Sequence, residues 1–276
     1  MSEHSIVSFI TQAICEDLGR GDMYALCAKT QHVKAYIVAK QDGIFSGEVY
    51  LKALMEYFAL QYSSPYTDGV AFAKGAHLCH IEGDYIKILQ CERVLLNILA
   101  HSSGIATLTH SYVQAIKDIP IKLLDTRKTR PLLRELEKYS IRNGGGSNHR
   151  FGLDSMLMLK DTHLAYVDDL EGIISTARER LPFMCPIEVE CESFESAKKA
   201  MKAGANAIMC DNMSVCEIKE VVKYRNAYAP HIILEASGNI TLQNIREYAL
   251  SGVNAISIGA LIHQAQWIDL SLKMQG

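Results

Sequence analysis

The stretch "IEVECESFESAKKAMKAGANAIMCDN", residues 187–212, decides the fold. "IEVEC" has the alternation of a strand, "SFESAKKAMKAGA" reads as a helix, and "AIMCDN" is strand-like again. The same rhythm extends outward from it. From about residue 121 the short apolar runs "IKLLDT", "MLMLKD", "IEVEC", "AIMCDN", "IILEAS" and "AISIGA" alternate with helical segments such as "MSVCEIKEVVKYR". Strand–helix repetition predicts a parallel sheet, and this many strands favour a closed or nearly closed α/β barrel over an open doubly wound sheet.

The first hundred residues follow a different plan. A helix opens the chain, "VKAYIVAK" (33–40) reads as a strand, and "GEVYLKALMEYFAL" (47–60) spaces its apolar residues as a helix does. Short β-like runs separated by Gly69, Gly75 and Gly83 come next. The long helical pattern "CERVLLNILAHSSGIATLTHSYVQAIK" (91–117) is interrupted at Ser102–Gly104, and the domain boundary is expected there. At 276 residues the chain accommodates one large α/β domain or two smaller ones.

Composition excludes several classes of function. With 49% hydrophobic residues, 21% charged residues and a formal net charge of -3, no affinity for a polyanion is predicted, so nucleic acid is not the expected partner. The stretch "MSEHSIVSFITQAICEDLGRGD" reads as an amphipathic helix rather than a secretion signal, and no apolar run approaches membrane-spanning length. The 8 cysteines form no C-x-x-C pair and are expected to be reduced, mostly buried thiols of a cytoplasmic protein, with a zinc site as the minor alternative.

Polar residues gather at the strand exits. Asp125, Lys160, Glu190, Asp211, Glu235 and Ser257 lie in or just after strands, where α/β barrels assemble their sites. In "IEVEC" the alternation puts Glu188 and Glu190 on one face, which is costly unless cations or hydrogen-bond donors meet them. A structural ion pair would suffice there, but Asp211 at the next strand exit adds a carboxylate, and such a pair suits sugar hydroxyls or Mg²⁺. Arg127, Lys128 and Arg130 follow one strand, His149 and Arg150 stand in "NHR", and Lys160 and His163 in "LKDTH". Together these cations imply a strongly anionic small ligand. "EASGNI" (235–240) and "ISIGAL" (256–261) end strands with small residues, as ordinary β-to-α turns do and as phosphate-binding loops of barrels do. "GGGSNH" (144–149) lacks the G-x-G-x-x-G spacing of dinucleotide sites. Its glycines are expected to pass close to the ligand and aim His149 and Arg150 into the pocket.

The motifs "EDLGRGD", "ERVLLNILAHSSGIATLT", "DTRKT", "LEKYSIRNGGGSNHRFGL", "LKDTH", "IEVECES", "MCDNMS", "LEASGNIT" and "ISIGAL" resemble, in order, those of the quinolinate phosphoribosyltransferases. The resemblance runs from about residue 16 to 272. It implies an N-terminal α/β sandwich joined to an incomplete parallel α/β barrel. The expected bounds are 1–104, rejoined by about 266–276, for the sandwich and 105–265 for the barrel that carries the active site. The implied reaction joins quinolinate to 5-phosphoribosyl-1-pyrophosphate, with Mg²⁺, giving nicotinate mononucleotide, pyrophosphate and CO₂ in de novo NAD biosynthesis. Also implied is a homodimer, or a hexamer built from dimers, with sites shared between subunits.

Carried over to this chain, the resemblance gives Arg127, His149, Arg150 and Lys160, with Arg93 from a neighbouring subunit, as the pocket for the quinolinate carboxylates. Thr126 and Lys128 adjoin it, Lys128 also facing the pyrophosphate. Glu190 and Asp211 stand on the ribose and metal side, directly or through water, while Ser237, Gly238, Asn239, Gly259 and Ala260 serve the 5-phosphate side, and Ser257 joins the substrate-binding set. Lys128, Lys160, Glu190 and Asp211 are the expected catalytic groups. The chain departs from the usual motifs at Arg130, Leu132, Ser147, Thr162 and Asn239, and a molybdenum-transport-associated branch shares similar motifs. A transferase acting on nicotinate or another acid, and a non-catalytic sensor of an anionic metabolite, are the competing functions. No charged site residue is lost, as a sensor would lead one to expect.

Overall fold

The structure is a computed structural model that describes residues 3–275. In chain order it forms α1 (Glu3–Leu18), β1 (His32–Ala39), β2 (Gly43–Ile44), α2 (Glu48–Phe58), β3 (Gln61–Ser63), β4 (Ala71–Phe72), β5 (His77–Asp84) and α3 (Tyr85–Ala115). Then come β6 (Lys122–Leu124), α4 (Arg134–Asn143), β7 (Leu157–Leu159) and α5 (Asp161–Leu164). Strict alternation follows: α6 (Leu170–Arg180), β8 (Ile187–Cys191), α7 (Phe194–Lys202), β9 (Ala207–Asp211), α8 (Val215–Tyr228) and β10 (Ile233–Ser237). The chain ends with α9 (Ile245–Ala249), β11 (Ala255–Ser257), α10 (Ala260–His263) and β12 (Leu270–Gln275).

The chain groups into two units, one of residues 1–110, 130–145 and 264–276, the other of 111–129 and 146–263. Residues 130–145, placed by sequence within the barrel segment, thus group with the first unit. So does β12, which pairs antiparallel with β1 from Lys34↔Gln275 to Ala39↔Leu270.

The first unit holds a four-stranded sheet in the order β12-β1-β5-β3, with neighbouring strands antiparallel. Along β1 the residues Ala35, Ile37 and Ala39 point inward and their neighbours outward, the period of two that a one-sided sheet requires. Against that face pack Ile10 and Ile14 of α1, Leu51, Leu54 and Met55 of α2, and Ile88, Cys91 and Leu95 of α3.

The sequence led us to expect α3 to break at Ser102–Gly104, but it runs unbroken for 31 residues. The reason is packing. Ser102 and Ser103 are fully buried, Ser102 Oγ lying 2.7 Å from both Ser46 Oγ and Ser140 Oγ, while Ser103 Oγ accepts the Ser46 N–H at 3.1 Å. A Cβ on Gly104 would come within 2.1 Å of the Gln266 carbonyl oxygen. These small residues are where other backbone closes on the helix, so their low helix propensity is outweighed by tertiary contact. Nearby in the same unit, buried Glu137 accepts from His101 Nε2 at 2.9 Å, from Arg130 Nη1 at 2.8 Å and from the Arg130 N–H at 2.9 Å. Burial pushes the pKa of Glu137 up, yet these bonds outweigh it and leave the carboxyl below its ordinary range.

The second unit holds a six-stranded parallel sheet in the order β6-β11-β10-β9-β8-β7, the incomplete barrel implied by the motifs. Local signals reinforce its crossovers. Ser193 caps α7 by accepting from the Ser196 N–H, and Ser214 caps α8 while Glu217 returns the bond to the Ser214 N–H. Ala197, Ala200 and Met201 form the buried stripe of α7 at helical spacing. On the edge of β6 away from β11, residue Ser147 forms a parallel bridge with Leu124.

All the cysteines are free, but only Cys79, Cys91, Cys191 and Cys210 are buried; Cys15, Cys27 and Cys216 are exposed, contrary to the expectation of mostly buried thiols. Among the described residues no cysteine joins a metal-binding group, and no helix is long and apolar enough to cross a membrane.

Candidate active site

The carboxyl ends of the parallel strands surround a cavity of about 400 Å³ lined by Thr126, Arg127, Lys128, His149, Arg150, Met158, Lys160, Glu190, Met209, Asp211, Ser237 and Ser257. Inward-pointing residues of adjacent strands build it in two layers. In β8, Glu190 lines the cavity and Glu188, two residues earlier on the same face, lies deeper; in β10, Ser237 and Glu235 repeat the arrangement.

The deep layer is acidic. Glu188 and Glu235 are 2% and 4% exposed, and the His149 Nε2 lies 3.2 Å from one carboxylate and 3.3 Å from the other. Burial pulls the His149 pKa down, but the two carboxylates outweigh it and raise the value to about 10. Burial pushes Glu235 up, against the opposing pull of His149. Fully buried Asp125 positions the neighbouring backbone, accepting the His149 N–H at 2.8 Å and the Asn148 Nδ2 at 2.6 Å. The Ser147 N–H donates to the Leu123 carbonyl at 2.8 Å, which sets the segment along β6.

The upper layer is cationic on one side. Arg127, Lys128, Arg150 and Lys160 all line the cavity, and the buried Arg127 Nε has no hydrogen-bond partner among the described residues. Burial and the adjacent Arg127 charge lower the pKa of Arg150, while Glu188 and Glu190 oppose them. Lys160 Nζ donates to Glu190 Oε2 at 2.6 Å. Two cations expected from sequence lie outside this lining: Arg130 is engaged by Glu137, and His163 Nδ1 accepts the Lys160 N–H at 3.0 Å.

Opposite charge comes from Glu190 and Asp211, which present only oxygen donors. Asp211 Oδ2 accepts from Asn212 Nδ2 at 2.7 Å and Glu190 Oε2 from Lys160, so each carboxylate keeps its other oxygen for a hard cation. That donor set fits Mg²⁺, which favours oxygen ligands and retains water.

The strand exits after β9 and β10 are tied together. The Asn212 N–H donates to the Ser237 carbonyl at 2.9 Å and Asn239 Nδ2 to Asn212 Oδ1 at 3.0 Å. Gly238 has φ of 87°, and a Cβ there would lie 2.8 Å from the Asn212 backbone nitrogen, so the loop admits only glycine without strain. Gly259 and Ala260 follow β11, and a Cβ on Gly259 would meet Lys128 Cδ at 3.0 Å. These loops border the lining without forming it, apart from Ser237 and Ser257.

Neither Arg93 nor the glycine run is among the lining residues. Arg93, on α3 of the first unit, lines a cavity there with Phe9, Leu132 and Trp267. His149 and Arg150 after the glycine run do line the cavity, and Gly144 has a packing role within its own unit: a Cβ there would lie 2.5 Å from the Ala106 carbonyl oxygen and 2.6 Å from Thr109 Cβ, so this glycine lets the end of α4 press on α3. Gly145, with φ of 90°, makes the turn that follows. The lining residues that sequence reasoning left out are Met158 and Met209, while the deep pair Glu188 and Glu235 stood out on their strands without being given a role in the pocket. For the glutamates a signal existed, because Glu188 shares a strand face with Glu190; the methionines carried none.

A parallel α/β barrel whose strand exits face cations against carboxylates defines an enzyme class that handles phosphorylated, multiply charged small molecules. Comparison with known proteins narrows the class. Residues 105–273 match the model of the quinolinate phosphoribosyl transferase C-terminal domain, and residues 22–103 that of the N-terminal domain. The chain is 37% identical over 269 residues to a probable nicotinate-nucleotide pyrophosphorylase [carboxylating] of Synechocystis sp., covering 96% of this chain and 91% of the relative. To the Bacillus subtilis (strain 168) protein of the same description it is 38% identical over 280 residues, with 99% and 95% covered. The solved structure of the nicotinate-nucleotide pyrophosphorylase from Francisella tularensis superposes with a TM-score of 0.93 at 30% identity, covering 100% of this chain and 98% of that one. The chain belongs to the quinolinate phosphoribosyltransferase family.

Proposed function

We propose that the barrel pocket binds quinolinate and 5-phosphoribosyl-1-pyrophosphate side by side and releases nicotinate mononucleotide, pyrophosphate and CO₂. The activity is that of a carboxylating nicotinate-nucleotide pyrophosphorylase in de novo NAD biosynthesis, named for the reverse direction. One observation carries the assignment of the site: Arg127, Lys128, Arg150 and Lys160 converge with Glu190 and Asp211 on a single cavity. Arginine forks match the carboxylates of a pyridine dicarboxylate, and the lysines act as point charges. Lys128 faces the pyrophosphate, and the backbone after Ser237 and Ser257, through Gly238, Asn239, Gly259 and Ala260, takes the 5-phosphate.

The pyridine nitrogen forms a bond to C1 of the ribose as the bond to pyrophosphate breaks and its electron pair leaves with the oxygen. Positive charge develops on the sugar, and we assign Glu190 and Asp211 the task of stabilising it. These two residues would hold Mg²⁺, and the ion would there supply charge neutralisation for a pyrophosphate leaving group. The adduct carries a cationic ring nitrogen next to the C2 carboxylate. When that carboxylate leaves as CO₂, the electron pair stays on C2, stabilised by the adjacent nitrogen, until a proton takes it up. No side-chain nucleophile enters the sequence. The pocket's contribution is to hold the carboxylates in fixed orientation against cations without hydrating them.

Incubation with both substrates and Mg²⁺ is expected to yield nicotinate mononucleotide, pyrophosphate and CO₂ in equal amounts, with loss of turnover on chelation. Failure to form the mononucleotide would sink the assignment. We further propose a homodimer, or a hexamer of dimers, in which Arg93 completes the neighbour's pocket. Mixing inactive Arg93→Ala and Lys160→Ala proteins should then restore activity through hybrid sites, and a mixture that stays inactive after subunit exchange counts against sharing.

A further inference from the structure

Glu188 and Glu235 have no place in the chemistry above, and neither lines the cavity. They are nonetheless among the most buried charged groups of the barrel, and their environment is under-supplied with donors. Among the described residues Glu188 Oε2 meets only the His149 Nε2 ion pair, and Glu235 Oε1 makes no hydrogen bond. Burying two carboxylates in this way is unfavourable, and apolar residues of similar size would pack a barrel interior at lower cost.

What the pair does hold is His149. The Nε2 side of the ring faces both carboxylates at 3.2 and 3.3 Å, and Nδ1 accepts the N–H of Arg150 at 2.7 Å. The backbone N–H of His149 donates to Asp125 Oδ1. Both ring nitrogens are therefore engaged by this chain's own groups, although the ring borders the cavity. Arg150 follows directly, its guanidinium in the cavity and its Nη1 donating to the Met156 carbonyl at 3.3 Å.

We propose that Glu188 and Glu235 are positioning residues for quinolinate recognition: they clamp His149 from below, and His149 acts as a bracket that fixes Arg150 rather than as a direct ligand of the substrate. The proposal rests on the function proposed above and differs from the role that the family motifs imply for His149. It predicts an effect confined to the dicarboxylate and transmitted only through the imidazole. The phosphoribosyl donor, bound by Lys128 and the strand-exit loops, should not register it.

The test is a double-mutant cycle between Glu235→Gln and His149→Ala, with KM measured separately for quinolinate and for 5-phosphoribosyl-1-pyrophosphate. Glu235→Gln alone is expected to raise the quinolinate KM about 10-fold, the scale of a lost hydrogen bond to a charged group, with the donor KM within about 2-fold. In the His149→Ala background the same substitution should add less than about 2-fold, because the residue through which it acts is gone. Equal factors in both backgrounds, no effect in either, or parallel rises in both KM values would overturn the proposal. Should Glu235→Gln fail to fold, Glu188→Gln in the same cycle carries the test from the other side of the clamp. Wild-type turnover is the control that separates the two ideas. Its absence defeats the assigned function, whereas normal wild-type turnover with an additive cycle defeats the positioning role alone.

Discussion

Each unit sets a histidine against buried carboxylate, and the two clusters are built to opposite rules. In the first unit one carboxylate, Glu137, is met by His101, by the Arg130 side chain and by the Arg130 backbone, so that both its oxygens are matched. In the second, one histidine faces two carboxylates: Glu188 Oε2 has only its ion pair with His149 Nε2, and Glu235 Oε1 makes no hydrogen bond among the described residues. A saturated carboxylate is what a fold needs when it buries charge for structure. Excess carboxylate beneath a cationic pocket does not serve stability and makes sense only if the group it holds matters to a ligand. Saturation of the carboxylates thus separates the two clusters more sharply than burial does; it does not extend to the rings, since His101 Nδ1 also has no hydrogen-bond partner among the described residues.

The largest expected effect tests the structural side. Glu137→Ala should lower unfolding free energy by about 3–5 kcal/mol in urea titrations at neutral pH, since it removes three hydrogen bonds at once and leaves the buried His101 ring and the Arg130 backbone N–H without their acceptor. Because the folded pKa of Glu137 is lowered, its contribution is present above the ordinary carboxylate pKa and is lost as pH falls through the folded value. The gap between wild type and variant should therefore narrow below about pH 4.3 and hold steady above it. A gap that widens in acid would contradict the ion-pair description.

Next in size, Arg150→Ala should raise the quinolinate KM about 100-fold while the donor KM stays within about 3-fold, as expected when a dicarboxylate loses a guanidinium fork. Equal rises for both ligands in steady-state kinetics would mean that Arg150 does not discriminate between them. Gly144→Ala belongs to neither cluster and calibrates packing alone, with an expected loss of about 1–3 kcal/mol from the clash with α3. A melting temperature unchanged by that substitution would show that α4 can shift away. Smallest is Lys52→Ala, which removes an exposed 3.8 Å pair with Glu56 and should leave the unfolding midpoint where it was.

Much of the fold was legible in the sequence because its signals are local. Each of the runs read as barrel strands forms one, from "IKLLDT" at β6 to "AISIGA" at β11, and the serines at 193 and 214 start the intervening helices. The break expected at Ser102–Gly104 was the opposite case. Small residues mark either a turn or a close approach, and only the partners Ser46, Ser140 and Gln266, remote in sequence, decide between them. Gly144 repeats the lesson, since the close approach that requires it is to Ala106 and Thr109 of α3. At the site, residue type identified the cations and carboxylates but could not sort them. Arg130 stands in the same short motif as Arg127 yet pairs with Glu137, and the long-range pairing that diverts it has no local signature.

The central claim is that the pocket recognises two carboxylates on one ring, so the most direct measurement is the ratio of kcat/KM for quinolinate to that for nicotinate in the same preparation. Cations left unpaired by the missing carboxylate should make the ratio at least about 1,000. A ratio near one would contradict the account.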